Sequence, residues 1–225
     1  MNHRTRIKVC GLTRPQDVDA AVAAGVDAVG LVFYPESRRR LDLDQARLLR
    51  QRVPAFVTVV ALFVNPSPDD VRRVLDRVAP DLLQFHGEEP PEFCDGFASR
   101  YMKAFRVGAP GQGSAPELAA RCLDYPHAAG WLFDSYSSGF GGSGLRFDLS
   151  LLADIPRGPG IPVGVLSGGL TATSVGRAIA AWQPFAVDVS SGVESAPGIK
   201  DTGRVLEFVQ AVRAADAGAP ASATP

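Results

Sequence analysis

Two residues able to move protons close strand-like segments: Cys10 in "IKVCGLT" and Asp134 in "WLFDSYSSG". A thiol and a carboxyl group on opposite sides of one substrate supply a base and an acid. Each residue also has a plainer reading. Cys10 alone reads as a small buried packing residue, and Asp134 as a carboxylate bonded to the backbone of its own glycine-rich loop. A second set points to an anion. "SGG" at 167–169 and "SSG" at 190–192 follow two consecutive late segments. Their small side chains let the backbone at Ser167, Gly168, Gly169, Ser190, Ser191 and Gly192 approach a phosphate, with a helix N-terminus behind it. One such loop is an ordinary turn; two in adjacent final positions read as a phosphate site. The run Arg38, Arg39, Arg40 is by default a solvated patch, although one guanidinium turned inward would clamp a carboxylate at two points. His86 is an acid/base or ligand candidate, or a hydrogen-bonded histidine at a strand end. Cys94 and Cys122 fall in helical patterns and read as packing. His3 and His127 lie far from His86 in the chain, and no metal-ligand spacing emerges.

The chemistry-bearing residues each end a short apolar segment. Strand-like runs stand near 7–10, 28–33, 56–64, 82–86, 102–107, 130–134, 162–166 and 185–190. Helical patterns stand near 14–24, 43–52, 68–78, 89–98, 115–124, 148–153, 172–181 and 201–214. Thr13 caps the first helix, with Pro15 in its first turn and Gly25 as its stop. Asp42 caps the second, and Pro54 follows it. Runs such as "AVGLVF" and "FAVDV" are apolar on both parities, as expected of parallel strands covered on both faces. Eight alternating units predict an α/β fold, a single (β/α)8 TIM barrel over residues 1–214 with a parallel eight-stranded core. A doubly wound sheet stays open, because one miscounted strand would open the ring. In a barrel, function gathers at the C-terminal strand ends, where these residues fall, with strands 1 and 6 across the ring from each other. Gly11 then leaves the thiol accessible and lets the chain turn at once. The segment 215–225, "ADAGAPASATP", reads as a disordered tail.

Composition narrows the partners. Lysine and arginine total 23 against 24 aspartate and glutamate, so no basic field argues for nucleic acid or an anionic membrane. The longest apolar run, "FVTVVALFV", is too short to span a bilayer, and the N-terminus has no signal-peptide core. Three scattered cysteines make neither a disulfide framework nor a zinc spacing and point to a reducing cytoplasm. "GFGGSG" at 139–144 matches a dinucleotide-binding pattern. It lies in the sixth unit, several residues past its strand and without the acidic residue that pattern needs, and reads instead as a loop closing over the mouth.

"KVCGLT", "DAVGLVFYPESRR", "VALFVN", "LLQFHGEEP", "FDSYSSGFGGSGLRFDLSLL", "VLSGGLTATSV" and "PFAVDVSSGVESAPGIKD" occur in this order from about residue 7 to 210. Together they resemble the phosphoribosylanthranilate isomerase family of tryptophan biosynthesis. The resemblance implies a cytoplasmic aldose–ketose isomerase, an intramolecular oxidoreductase. It would carry out the Amadori rearrangement of N-(5-phosphoribosyl)anthranilate to 1-(2-carboxyphenylamino)-1-deoxyribulose 5-phosphate, with no metal or organic cofactor. Its partner would be that small phosphosugar–anthranilate substrate, with neither nucleic acid nor membrane, and the chain a monomer or homodimer. By resemblance Cys10 is the general base and Asp134 the general acid, which opens the ribose ring. Arg39 holds the anthranilate end. His86 and Asp188 stand at substrate-binding positions, and the two serine–glycine loops with Gly142 form the phosphate site. "SYSSGF" and "FDL" depart from the family's usual pattern.

These roles set conditions. Cys10 must be partly ionised, helped by a guanidinium or backbone dipoles. Asp134 must keep a proton through burial or a neighbouring anion. Three other readings stay open. A dual isomerase also serving histidine synthesis would resemble a pattern with aspartate at the first strand end. An indole-forming synthase needs a lysine acid, and Lys103 on strand 5 has no glutamate partner where one is wanted. A non-catalytic phosphate-sugar module would keep the fold without turnover.

Overall fold

A computed structural model describes residues 4–135 and 148–218. Eight parallel strands close a barrel in chain order: β1 (Arg6–Cys10), β2 (Ala28–Val32), β3 (Thr58–Phe63), β4 (Leu82–Phe85), β5 (Tyr101–Val107), β6 (Gly130–Ser135), β7 (Val163–Leu166) and β8 (Ala186–Val189). β8 pairs back onto β1, which rules out the open sheet. Helices α1 (Pro15–Ala24), α2 (Leu43–Arg50), α3 (Pro68–Val78), α4 (Pro91–Asp95), α5 (Ala115–Leu123), α6 (Ala172–Trp182) and α7 (Thr202–Gly218) lie in the crossovers and after β8.

Side-chain parity explains why the strands are apolar throughout. On β1, Ile7 and Val9 pack outward with Val18 and Ala21 of α1, while Lys8 and Cys10 point into the barrel. Val60, Met102, Ala104, Leu132, Val165 and Ala186 fill the interior toward the N-terminal strand ends. Cys10, Val32, Leu62 and Val64 continue it upward beneath β1–β3. The barrel is therefore a packed core that opens at its C-terminal rim.

The caps hold in part. Gly25 ends α1 in the left-handed conformation at φ 83°, and Asp42 and Gln45 form a reciprocal capping box on α2. Thr13 does not cap α1; Arg14 takes that place, and the Thr13 hydroxyl donates to the Gly198 carbonyl. The sixth helical pattern is only a 3₁₀ turn, Leu149–Leu152. α4 has five residues rather than ten, because Glu89 turns inward before it. After β8 comes an unforeseen 3₁₀ turn, Ser191–Val193, and then an antiparallel hairpin of β9 (Glu194–Ala196) and β10 (Ile199–Lys200).

α7 runs four residues past the expected end at 214, so 215–218 are helical rather than tail. Its Asp216 carboxylate accepts from Thr5 N at 2.9 Å and Thr5 Oγ1 at 2.6 Å, which anchors the helix beside β1. The rest of the expected tail, 219–225, lies outside the described residues. Among the described residues no helix is long and apolar enough to cross a membrane.

Candidate active site

The first strand end is shaped by two glycines. Gly11 turns the chain at φ 77°, and a Cβ there would stand 2.3 Å from Arg39 Cδ. Its bare backbone therefore seats the arginine stem, a use beyond the turn read from sequence. On the neighbouring strand a Cβ at Gly30 would stand 2.7 Å from Cys10 Sγ, so Gly30 makes the space the thiol occupies. Below Cys10, Lys8 Nζ donates to Asp188 Oδ1 at 2.9 Å, and the two residues are register partners across β1 and β8. Burial pushes the Cys10 thiol up; Lys8 is the largest opposing influence, and the net direction is upward. The cation that favours the thiolate most is thus an ammonium from the same strand rather than the guanidinium expected. Burial likewise raises Asp188 against the pull of Lys8.

On the far side His86 Nε2 lies 3.2 Å from Asp134 Oδ2, and Ser135 N donates to Asp134 Oδ1 at 2.9 Å. Gln84 Nε2 stands 3.3 Å from His86 Nδ1. With Gln84 donating to Nδ1, the imidazole proton sits on Nε2 and points at the carboxylate. The turn after His86 is braced from behind. Glu89 accepts from Asn65 N at 2.7 Å, from Gly87 N at 3.0 Å and from Lys103 Nζ at 2.8 Å, and Lys103 also donates to Gly87 O at 2.6 Å. Lys103 has a glutamate partner in Glu89, but not in the place a synthase would want one. It is the register partner of outward-facing Phe85, so the pair lies between sheet and helices and not in the mouth.

Arg38 and Arg40 are exposed, whereas Arg39 turns inward. Its Nε and Nη2 donate to the two oxygens of Glu194, each at 2.7 Å. Lys200 Nζ joins the same carboxylate at 2.8 Å and donates to Ser190 O at 3.0 Å. The β9–β10 hairpin thus reaches over the rim to hold the arginine. Burial opposes ionisation of Glu194, but the Arg39 hydrogen bonds and Lys200 outweigh it and hold the carboxyl below its usual range.

Ser167, Gly168, Gly169, Ser190, Ser191 and Gly192 line the same mouth as Cys10 and Asp134. α6 begins five residues after Ser167, with its positive dipole end toward them. A Cβ at Gly192 would stand 2.0 Å from Leu170 O, so the two loops interlock closely. Gly142 lies outside the described residues. Val32, Tyr34, Leu62 and Val64 make an apolar wall beside Arg39, opposite the polar side of Gln84, His86, Asp134 and Asp188. On the ring β6 sits one strand from diametrically opposite β1, and the two anion-type loops lie between them on β7 and β8. Among the described residues no cluster of three or more histidine, cysteine or acidic side chains is arranged to hold a metal.

Lys8, Gln84, Glu194 and Lys200 escaped the sequence reading. Counting two residues back from Cys10 would have found Lys8, since β-parity puts both on one face. The Pro-Gly turn in "ESAPGIK" is the signal that brings Glu194 and Lys200 together.

A closed (β/α)8 barrel with a thiol and a carboxyl group flanking two interlocked serine–glycine loops defines a class, the phosphate-binding barrel enzymes equipped for proton transfer. The family model of N-(5'-phosphoribosyl)anthranilate (PRA) isomerase matches residues 7–211, and the chain belongs to this family. An N-(5'-phosphoribosyl)anthranilate isomerase of Bordetella pertussis is 58% identical over 213 residues, covering 95% of this chain and 98% of that one. The phosphoribosylanthranilate isomerase of Thermotoga maritima superposes with a TM-score of 0.84 at 37% identity, covering 93% of this chain and 99% of that one. Monomers made from the dimeric Thermotoga enzyme have also been solved, with a TM-score of 0.78 at 35% identity over the same shares of the two chains. A family structure holding reduced 1-(o-carboxyphenylamino)-1-deoxyribulose 5-phosphate superposes with a TM-score of 0.79 at 36% identity, again over 93% and 99%. The chain is thus an aldose–ketose isomerase of tryptophan biosynthesis.

Proposed function

We propose that the barrel mouth rearranges N-(5'-phosphoribosyl)anthranilate with Cys10 as base and Asp134 as acid. The observation that carries the assignment is the placement of these two groups on either side of the 167–169 and 190–192 loops, in one shared mouth. The phosphate rests on those loops, and the anthranilate ring lies along Val32, Leu62 and Val64. Its carboxylate meets the Arg39 edge that Glu194 leaves uncovered. The ribose is then held between β1 and β6.

Protonated Asp134 gives its proton to the ring oxygen while the C1–O bond breaks and the nitrogen lone pair forms C=N. The Cys10 thiolate takes the C2 proton, and those electrons form the C1=C2 bond as the nitrogen regains its pair. The resulting enolamine loses its hydroxyl proton and gains one at C1, giving the 2-ketose with atoms and charge conserved. His86, donating from Nε2 to Asp134 Oδ2, orients the carboxyl group in the mouth. Asp188 supports the site through Lys8. The three unlinked cysteines suit a reducing cytoplasm, and we extend the Thermotoga relative's dimeric state to this chain, to be read by sedimentation velocity.

The test is turnover of the aminoaldose followed by anthranilate-type fluorescence. Cys10→Ala and Asp134→Asn each lower kcat by about 10²–10⁴-fold. Near-normal turnover in either variant removes that residue from its role.

A further inference from the structure

A lysine at the centre of a barrel interior is costly. Desolvating two ions takes several kcal/mol each, and an apolar pair of similar volume fills such a space as well or better. The rest of this interior is filled that way, by residues such as Val60, Met102 and Leu132. Packing therefore gives no account of Lys8, which is 3% exposed and tied to Asp188 at 2.9 Å. Its position does. Lys8 is two residues before Cys10 on the same face of β1, and Gly30 confines the thiol above it.

We propose that Lys8, held in place by Asp188, is the positioning residue that stabilises the thiolate of Cys10. The inference rests on the reading of Cys10 as base. Lys8 keeps its own proton throughout and acts only through its charge, while Asp188 stops it from swinging away. The ionisable groups around the thiol are Lys8 from β1, Tyr34 and Arg39 from the loop after β2, His86 just past β4, Asp134 from β6, Asp188 from β8 and Lys200 from β10. Burial and Asp188 favour the thiol. Lys8 is the strongest influence toward the thiolate, with Lys200 behind it. Burial pulls Lys8 itself down, but Asp188 and Cys10 outweigh that and keep it charged.

The test is the pH profile of iodoacetamide alkylation at Cys10, read by peptide mass spectrometry in the folded enzyme. Cys94 and Cys122 are fully buried and their thiols are pushed up, Cys94 to about 12, so they do not interfere. Lys8→Met moves the profile to higher pH and slows alkylation at pH 8 by about tenfold for each unit of movement. Lys8→Met with Asp188→Asn leaves no unpaired buried charge and secures the measurement if the single variant does not fold. Asp188 itself favours the thiol, so the double variant is read against Asp188→Asn alone and its profile lies above that one. A profile that stays in place or moves down, in Lys8→Met against the parent or in the double variant against Asp188→Asn, overturns the proposal. Alkylation needs no turnover, so Cys10→Ala activity tests the base assignment separately. Normal turnover there would sink that assignment while the profile still reported the hold of Lys8 on the thiol.

Discussion

Replacing Glu194 by Gln removes one negative charge shared by two cations, Arg39 and Lys200. Arg39 keeps an amide oxygen to bond, but Lys200, with 1% of its side chain exposed, keeps a buried charge and no carboxylate. Breaking a buried pair from one side costs about 3–5 kcal/mol. Here the cost has a ceiling, because Lys200 can instead shed its proton. Its ordinary value is 10.5, so at pH 7 that escape costs about 5 kcal/mol, at roughly 1.36 kcal/mol per tenfold. Burial already holds Lys200 below the ordinary value in the native enzyme. In Glu194→Gln the folded state binds this proton still more weakly than the unfolded chain does. Stability therefore rises with pH relative to the parent, up to the unfolded lysine value. Urea unfolding at pH 7 and pH 9 reads this: a loss of about 3–5 kcal/mol at pH 7 shrinks by about 2 kcal/mol at pH 9. The arginine also loses its brace, so KM rises by about tenfold or more while kcat falls less. A stability loss equal at both pH values, together with an unchanged KM, would refute the account of the hairpin as a charge-paired clamp on Arg39.

Arg39→Ala raises KM by about 10–100-fold, the worth of a charged two-point hydrogen bond, whereas Arg38→Ala and Arg40→Ala leave steady-state kinetics within twofold of the parent (~0.4 kcal/mol). Glu89→Gln unpairs Lys103 behind the sheet and lowers the urea midpoint by an amount equal to about 3–5 kcal/mol, with Lys103→Met on the same background recovering most of it. Gly30→Ala pushes a methyl against the Cys10 sulfur and cuts kcat by about 10²-fold with an unchanged circular dichroism spectrum. In the parent, acidification below the usual carboxylate range releases the hairpin. Glu194 is depressed in the folded state, so its contribution is complete above the ordinary glutamate value of 4.5 and is lost as pH falls through the folded one; proteolysis after the hairpin's residues as a function of pH follows it.

Strand positions were legible because parallel strands covered on both faces must be continuously apolar, and each observed strand lies within two residues of its predicted run. The short helices were not. "GEEPPEFC" has helical period, but Glu89 is drawn inward by Lys103 and two backbone amides, a long-range demand that local pattern does not contain. Cys10, His86 and Asp134 were legible as strand-end residues, since the barrel gathers such ends at one rim, whereas Arg39 stood out from its run only through the family resemblance. Lys8 belongs to no motif, and strand parity is what reveals it. Glu194 and Lys200 became partners through a hairpin whose two strands have only three and two residues, too short for any periodicity to announce.

The Lys8–Asp188 pair also sets an order in time. Its members are 180 positions apart in the chain. A ribosome adding about 5–20 residues per second needs roughly 10–40 s to pass from one to the other. Through that interval Lys8 has no counter-ion and β1 can find only β2. The thiol of a growing chain then lacks the fixed ammonium that the finished barrel sets beneath it. Residues 188–216 bring Asp188, the second serine–glycine loop, the hairpin and the helix that grips Thr5, and their arrival is what completes the surroundings of the sulfur.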